Sequence, residues 1–344
     1  MRRFVSSLTA AFAAAVLFAI AVSIGSGQQP AHATRPESTI DALSSQELIA
    51  AFDEANASSP DRAMQIFNRL RERRKEIPQH DLVSTITDTN RSRATRELMI
   101  DLLAGPPEEA QVTEDARGLL RDDHLDPALK ARVLASYDFG PEDSGLLSSL
   151  ASGPEDAVAF HALKKLGSAD PSAARRLALT TLARGEWFSD SKLSASYKVL
   201  IRSGAIQSDP EVRNTLLGHL ASVLDDARTS PRLKDSAAFA LSDMRSLEAL
   251  RMLLESKGAD RILCVGAVDQ NAMLIKTALE RNPDEATIEL AVTAMELYPV
   301  KEIASPLRAA CDRVTSPALS QRMDAVLERI AREGVPLNIK WTED

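Results

Sequence analysis

Histidine, cysteine and carboxylate side chains are the groups in this 344-residue chain that could bind a metal or carry out acid–base and nucleophilic chemistry. Protein metal sites usually take several such ligands from closely spaced motifs. The chain contains no His-x-x-x-His motif and no His-Glu pair, and its histidines are His32, His80, His124, His161 and His219. This scatter predicts neither a metal site nor a bound cofactor.

Asp122-Asp123-His124 is the densest group of potential ligands, with three in a row. Adjacent side chains on a helix point in different directions, and the segment precedes a helix start at Asp126, so we interpret it as a solvated loop. The chain also lacks a glycine-rich phosphate loop, a Gly-x-Ser-x-Gly motif and a Cys–His arrangement that would supply a nucleophile. These observations predict a protein without catalytic residues.

Trp187 and Phe188 are the best candidates for partner binding, because two adjacent aromatic residues are unusual in a chain with only 4% aromatics. They lie in the short segment Gly185 to Ser189, where a large apolar side chain can anchor a partner. The alternative is that both side chains fold down to close a gap between helices, which is the commoner fate of such residues.

The elements that must position these residues are indicated by eight prolines, each directly after Ser, Asp or Asn and before good helix formers. A short side-chain oxygen can accept from the free N–H groups of a first helical turn, and proline at the first helical position loses no hydrogen bond. We therefore expect an all-α chain of short helices. The pairs are Ser59-Pro60, Asp126-Pro127, Asp170-Pro171, Asp209-Pro210, Ser230-Pro231, Asn282-Pro283, Ser305-Pro306 and Ser316-Pro317.

Pairs of apolar residues recur along these helices at separations of 28, 37, 41, 54 and 32 positions. The chain is longer than one compact core usually organises, yet no linker rich in Gly, Ser or Pro divides it. A stack of helical hairpins with variable loops explains both facts, because each unit buries its apolar face only against its neighbours. The pairs are Leu134-Ala135, Ala162-Leu163, Val199-Leu200, Ala240-Leu241, Ala294-Met295 and Val326-Leu327.

The segment Asp209 to Arg213, Asp-Pro-Glu-Val-Arg, resembles the start of a HEAT repeat helix. Asp126 to Arg132 is similar to it, as is Ser230 to Leu241 with its ridge of alanines ending in leucine. The resemblance covers about 126 to 331 and implies a right-handed, armadillo-like α-solenoid whose concave face binds another protein or a peptide. HEAT-like enzymes that hold a metal, such as the deoxyhypusine hydroxylases, use paired His-Glu motifs that this chain lacks.

The first 33 residues are typical of a signal peptide, with a basic start, an uncharged apolar run and the small-x-small sequence Ala31-His32-Ala33. Cleavage between Ala33 and Thr34 would export the protein to the periplasm, the cell envelope or the medium. The alternative is an uncleaved single transmembrane anchor, since Phe4 to Ile24 is long enough to span a bilayer.

The expected organisation is therefore a signal peptide over 1–33, a helical N-terminal cap region over 34–105, HEAT-like repeats over 106–331 and an extended tail over 332–344. A capping box at Ser44 to Glu47 supports helices in the cap region. Alternating apolar residues from Val335 to Trp341 indicate the extended tail.

Charge limits the partners of an exported chain. Removing Arg2 and Arg3 with the leader leaves 39 basic and 49 acidic residues, a net charge near −10. Such a surface repels phosphate backbones and anionic lipids, which argues against nucleic acid, and against membranes unless the N-terminal segment is retained. An oxidising compartment would allow a disulfide between Cys264 and Cys311, but their apolar settings favour two separate buried thiols.

The function predicted from these features is a non-catalytic, exported scaffold that binds another protein or a peptide through a helical-repeat surface. Two alternatives remain open. One is an enzyme on a HEAT-like scaffold, which would need a pocket with convergent acidic residues. The other is a structural component of a cell-envelope assembly, which would need the N-terminal apolar segment to be retained.

Overall fold

A computed structural model describes residues 40–106, 112–184 and 190–337. Within these ranges the chain forms 18 α-helices and several short 3-10 turns but no β-strand, which confirms the all-α prediction. One isolated parallel bridge joins Val300 and Val335, at the start of the expected C-terminal tail. The chain divides into two compact units after Tyr137.

The first unit consists of three helical hairpins, in which α1 packs on α2, α3 on α4 and α5 on α6. The last helix of each later hairpin extends the stack, since α4 packs on α1 and α6 packs on α4. The predicted capping box is present, with Ser44 and Glu47 each accepting from the other's backbone N–H. The helices are α1 Ser45–Ser58, α2 Pro60–Glu72, α3 Gln79–Thr87, α4 Arg93–Ala104, α5 Glu114–Arg121 and α6 Pro127–Ser136.

The second unit contains the remaining twelve described helices, which range in length from 20 residues to a single turn of four. They are α7 Ser144–Ser152, α8 Asp156–Ala169, α9 Pro171–Arg184, α10 Asp190–Arg202, α11 Ala205–Ser208, α12 Pro210–Asp225, α13 Pro231–Asp243, α14 Leu247–Glu255, α15 Arg261–Glu280, α16 Glu285–Leu297, α17 Ala304–Ala309 and α18 Pro317–Glu333.

Alternate helices of the second unit form two rows. In the first row, α7, α9, α12, α14, α16 and α18 contact one another in succession. In the second row, α8, α10, α13 and α15 do the same. Consecutive helices connect the rows, because α7 packs on α8, α9 on α10, α12 on α13 and α14 on α15. Each interior helix is therefore held by neighbours in its own row and by a partner in the other.

Small residues allow these helices to approach closely. On α8, Ala159 and Ala162 are buried, and a Cβ added at Gly167 would lie 3.4 Å from a methyl group of Val199 on α10. On α13, Ala237 and Ala238 are buried in the same way between the two rows. Short side chains at such positions let leucine fill the remaining space, which explains a core with few aromatic residues.

Six of the eight predicted helix starts are confirmed, with proline as the first helical residue after its Ser or Asp. The Asp126 carboxylate accepts from the N–H of Ala128 at 2.7 Å. The Asp209 carboxylate accepts from the N–H groups of Glu211 and Val212. Ser230 caps α13 through the N–H of Leu233 at 3.1 Å. Ser59 differs, because its side chain makes no capping hydrogen bond.

Two of the eight predicted starts are wrong. Asn282 has a positive φ of 73° and follows the last turn of α15, so Asn282-Pro283 ends one helix instead of starting the next. Asn tolerates this left-handed conformation, and proline commonly follows a helix end. Asp284 caps α16 instead, accepting from Thr287 N–H at 2.8 Å. Pro306 lies inside the first turn of α17, where a missing N–H also costs no helical hydrogen bond.

The two Ser-Pro starts at Ser59 and Ser230 provide a test of capping. We expect Ser230→Ala to lower the free energy of unfolding by about 1–2 kcal/mol, because α13 loses its N-terminal acceptor and the hydroxyl no longer donates to Asp190. Ser59→Ala should change it by no more than a few tenths of a kcal/mol, since no capping bond is lost. Urea denaturation followed by circular dichroism measures both, and equal losses would contradict the assignment of the Ser230 cap.

Candidate functional site

The residues predicted to bind a partner, Trp187 and Phe188, lie in 185–189, outside the described residues. The predicted cleavage site at Ala33 and Thr34 also lies outside them, as does Trp341 in the expected tail. The candidate site described below is therefore built from other residues, all of them in the second unit.

The second row presents one outward stripe per helix, and no described helix of the second unit covers these stripes. Residues three or four positions apart share a helix face, which is the spacing seen here. We call the four stripes together the second-row face. They are Ala157, His161, Lys164 and Ser168 on α8; Ser191, Ser194, Lys198 and Arg202 on α10; Arg232, Asp235, Phe239 and Asp243 on α13; and Ile262, Gly266, Gln270 and Met273 on α15.

Contacts between adjacent helices fix how the stripes align. Gly167 on α8 meets Val199 on α10, and the Ser230 hydroxyl before α13 donates to Asp190 at the start of α10. Ser242 on α13 donates to the Gln270 side chain on α15 at 2.8 Å. This register places Lys164, Lys198, Phe239 and Gly266 at one level across the four helices.

One end of the face is basic. The basic cluster consists of His161, Lys164, Lys198 and Arg202. Within the described residues, Lys164, Lys198 and Arg202 form no ion pair. The pKa of Lys164 is lowered first by burial and then by the positive charges of Lys198, Arg202 and Lys165. These cations are therefore close enough to repel one another. Burial, followed by Lys164 and Lys165, also lowers the pKa of His161. Positive charge thus accumulates on an otherwise acidic protein.

Lys165 is the neighbouring cation that does have a partner. Its Nζ lies 3.2 Å from Oδ1 of Asp138, so that this lysine's charge is offset. Lys192, at the start of α10, is buried and donates to the Gly153 carbonyl at 2.6 Å, which ties α10 to the loop before α8. These two lysines therefore act in the structure of the unit, in contrast to the exposed members of the basic cluster.

The other end of the face is apolar. The apolar cluster consists of Phe239, Ile262 and Met273, whose exposed fractions are 57%, 79% and 38%. Among the described residues, Met64 is the only other large hydrophobic side chain that is exposed. Single exposed apolar residues are normal, but three of the four exposed large hydrophobic side chains among the described residues lie on two adjacent helices of this face, which favours an interaction surface there.

A buried Tyr–His pair lies between the two rows. The Tyr197 hydroxyl on α10 lies 3.1 Å from Nε2 of His219 on α12, and the Tyr197 ring is almost completely buried. Burial raises the pKa of Tyr197 and lowers that of His219, so both side chains are neutral near pH 7. The pair satisfies two polar groups in the core and so supports the geometry of α10.

Two open grooves lie among the described residues. The larger, of about 590 Å³, lies in the second unit between the end of α15 and α17, and its charged lining residues are Lys276, Glu280, Glu302 and Arg313. The smaller, of about 350 Å³, lies in the first unit beside Asp81, Asp88 and Arg91. Both grooves mix the two signs of charge, and neither has the convergent acidic lining that the enzyme alternative requires.

Within the described ranges, no group of three or more His, Cys, Asp or Glu side chains is placed to hold a metal ion. Asp122 ends its helix, and its Oδ1 accepts from the His124 backbone N–H at 2.9 Å, in the loop expected from the sequence. Cys264 and Cys311 are both free thiols; Cys264 is buried and Cys311 is half-buried. Burial raises the pKa of each thiol, which disfavours the reactive thiolate.

One described helix, α15, has the length and apolar composition to cross a membrane, with 20 residues and a mean hydropathy of 1.3. The same helix packs on α13, α14 and α16, and residues such as Val268, Ala272 and Ile275 are buried there. Its length and apolar composition therefore fit a core helix of the second unit as well as they fit a membrane span.

Sequence reasoning missed the second-row face. The helical spacing of Lys164 with Ser168 and of Lys198 with Arg202 was a usable signal for two polar stripes. Phe239 and Ile262 gave no such signal, because an apolar residue on an amphipathic helix is normally a core residue. Their exposure depends on which helices are neighbours, and that is a property of the assembled rows.

Comparison with known proteins adds no assignment: no protein-family model matches the chain, and no curated protein matches it either.

The two half-buried histidines predict a pH dependence of stability. His161 and His219 have lowered pKa values in the folded state, so the unfolded chain takes up protons first as the pH falls through about 6.5. The free energy of unfolding should therefore fall between pH 7.5 and 5.5. We expect a shallower fall in the double variant His161→Gln with His219→Gln, measured by urea denaturation.

The control for this measurement is the range from pH 7.5 to 8.5, where histidine does not titrate. Across it, the difference in stability between the variant and the original protein should stay constant. Identical slopes of stability against pH for the two proteins below pH 7.5 would show that these histidines are not responsible.

Proposed function

We propose that this protein is an exported, non-catalytic scaffold, a HEAT-type α-solenoid that binds another protein or a peptide through the second-row face. Two rows of helices in succession support this architecture, because such rows are the packing expected of stacked helical hairpins. The resemblance of Asp209 to Arg213 to a HEAT helix start points in the same direction. A stack of this kind presents a long, continuous surface suited to an extended partner.

The observation that carries the proposal is the exposed apolar cluster. Phe239 is more than half exposed, and Ile262 is almost fully exposed on the adjacent helix. Leaving these side chains in water forgoes the free energy of burial, about 1.5–3 kcal/mol for each one fully covered. Docking of a partner over the second-row face would recover part of it. The basic cluster beside the apolar residues supplies polar contacts that can select that partner.

Export is part of the proposal and has a direct test. We expect mass spectrometry of the protein from its native cells to find a mature N-terminus at Thr34. A chain that starts at Met1 and fractionates with membranes would instead support the anchored form and the envelope-assembly alternative. This outcome would leave the binding surface itself unaffected, since the second unit begins at Asp138, far from the leader in the sequence.

The binding surface is tested by removing its apolar side chains. The double variant Phe239→Ser with Ile262→Ser should capture a partner from the native envelope or medium at least about tenfold less well, because it loses the apolar anchor of the face. The partner found with the original protein is then purified, and its dissociation constant is measured for each variant. Met64→Ser is the matched control, since it removes an exposed apolar side chain from the first unit.

Stability separates docking residues from core residues in the same experiment. All these substitutions are at exposed positions, so the melting temperatures should stay close to that of the original protein. Equal partner binding by the original protein and the double variant would rule out the second-row face as the docking surface. Trp187→Ala with Phe188→Ala belongs in the same series, because their contact with a partner stays a prediction.

A further inference from the structure

We propose that the second-row face binds an extended acidic segment of the partner, with carboxylates on the basic cluster and one large apolar side chain against Phe239 and Ile262. This inference rests on the proposed function and names the chemistry of the partner. It follows from three features of the face: unpaired cations, an adjacent apolar cluster and the spacing between them.

The cations set the charge of the ligand. Lys164, Lys198 and Arg202 are exposed on adjacent helices, and no ion pair within the described residues offsets them. Burial, and after it the repulsion from Lys198 and Arg202, lowers the pKa of Lys164, and a bound anion would offset that repulsion as well as form new contacts. Carboxylates suit this cluster, because a guanidinium such as that of Arg202 can bind one through two parallel hydrogen bonds.

The helix spacing sets the pattern of the ligand. Adjacent helices in a packed row lie about 8–10 Å apart, and an extended chain advances about 3.3 Å per residue. Lys198 and Phe239 are level on adjacent helices, and Lys164 is one helix further away. An extended segment that crosses the row should therefore carry acidic residues about three and about six positions from its apolar residue.

The apolar end favours a peptide over a polyanion. Asp235 and Asp243 lie one turn on either side of Phe239. With Arg232 one turn before Asp235, the α13 stripe carries a net charge of −1 where the basic cluster ends. A nucleic acid carries phosphate at every step and would be repelled there, as would a continuous anionic lipid surface. A peptide can confine its carboxylates to the α8 and α10 side and place an uncharged residue against Phe239.

The test uses a flexible synthetic peptide of about 12 residues, in which Glu occupies the third and sixth positions before a single Leu in a Gly-Ser background. Fluorescence anisotropy of the labelled peptide measures its binding to the mature protein. We expect saturable binding that weakens at least about tenfold when both Glu are replaced by Lys, and also when Leu is replaced by Ser. A single-stranded oligonucleotide and vesicles of phosphatidylglycerol are the competing probes.

Variants locate the site. Lys198→Glu with Arg202→Glu should weaken binding of the acidic peptide by at least about tenfold and strengthen binding of the Lys-substituted peptide. Arg308→Glu is the matched control, because Arg308 is an exposed cation of the second unit on α17, a helix that is not one of the four that form the face. Circular dichroism checks that each variant folds, and Lys198→Ala replaces the double variant if reversal of two charges prevents folding.

Three results would overturn the inference: no saturable binding of the acidic peptide, equal loss of binding with Arg308→Glu, or tighter binding of the oligonucleotide or the vesicles. The proposed function is tested separately from this inference. If the variant Phe239→Ser with Ile262→Ser loses its natural partner while the acidic peptide does not bind, the docking surface stands and the partner's chemistry is wrong.

Discussion

Satisfying the free N–H groups at helix starts is the constraint on which the second unit depends, because its cap residues also join neighbouring helices. Asp170 accepts from the Ala173 N–H at the start of α9 and from the Ser144 hydroxyl at the start of α7. Asp209 caps α12 and pairs with Arg175 of α9. Local capping and the register between successive helices are therefore set by the same side chains, so a lost cap affects both.

In the second row, the positions that pack against other helices are distinct from those that face solvent and are available to a partner. An interior helix of the second row, α10 or α13, has two sides packed on its row neighbours and a third packed on the first row, which leaves one stripe for solvent. Buried alanines such as Ala162 and Ala237 occupy the packed sides, where a change of volume is felt at once. Substitutions on the outward stripe meet no such restraint. The chemistry of that stripe is consequently free to suit a partner, provided that solubility is kept.

The sequence was sufficient for the features that depend on a few adjacent residues. An oxygen-bearing side chain followed by Pro identified six helix starts, including Asp126 and Ser230, because capping is a local interaction. It failed at Asn282, since an Asn-Pro pair satisfies the end of a helix as readily as the start of one. The second-row face lay beyond such reasoning, because Phe239 and Lys198 become neighbours only through the register between α10 and α13.

The opposition between the net charge and the basic cluster has a consequence for association with an acidic partner. The whole chain carries a net charge of −8, which repels such a partner at long range, whereas Lys198 and Arg202 attract it at contact distance. At physiological ionic strength the screening length is about 8 Å, shorter than the distance across the four helices. Salt therefore suppresses the distant repulsion more than the contact attraction, and binding by this face should depend less steeply on ionic strength than binding by a uniformly basic surface.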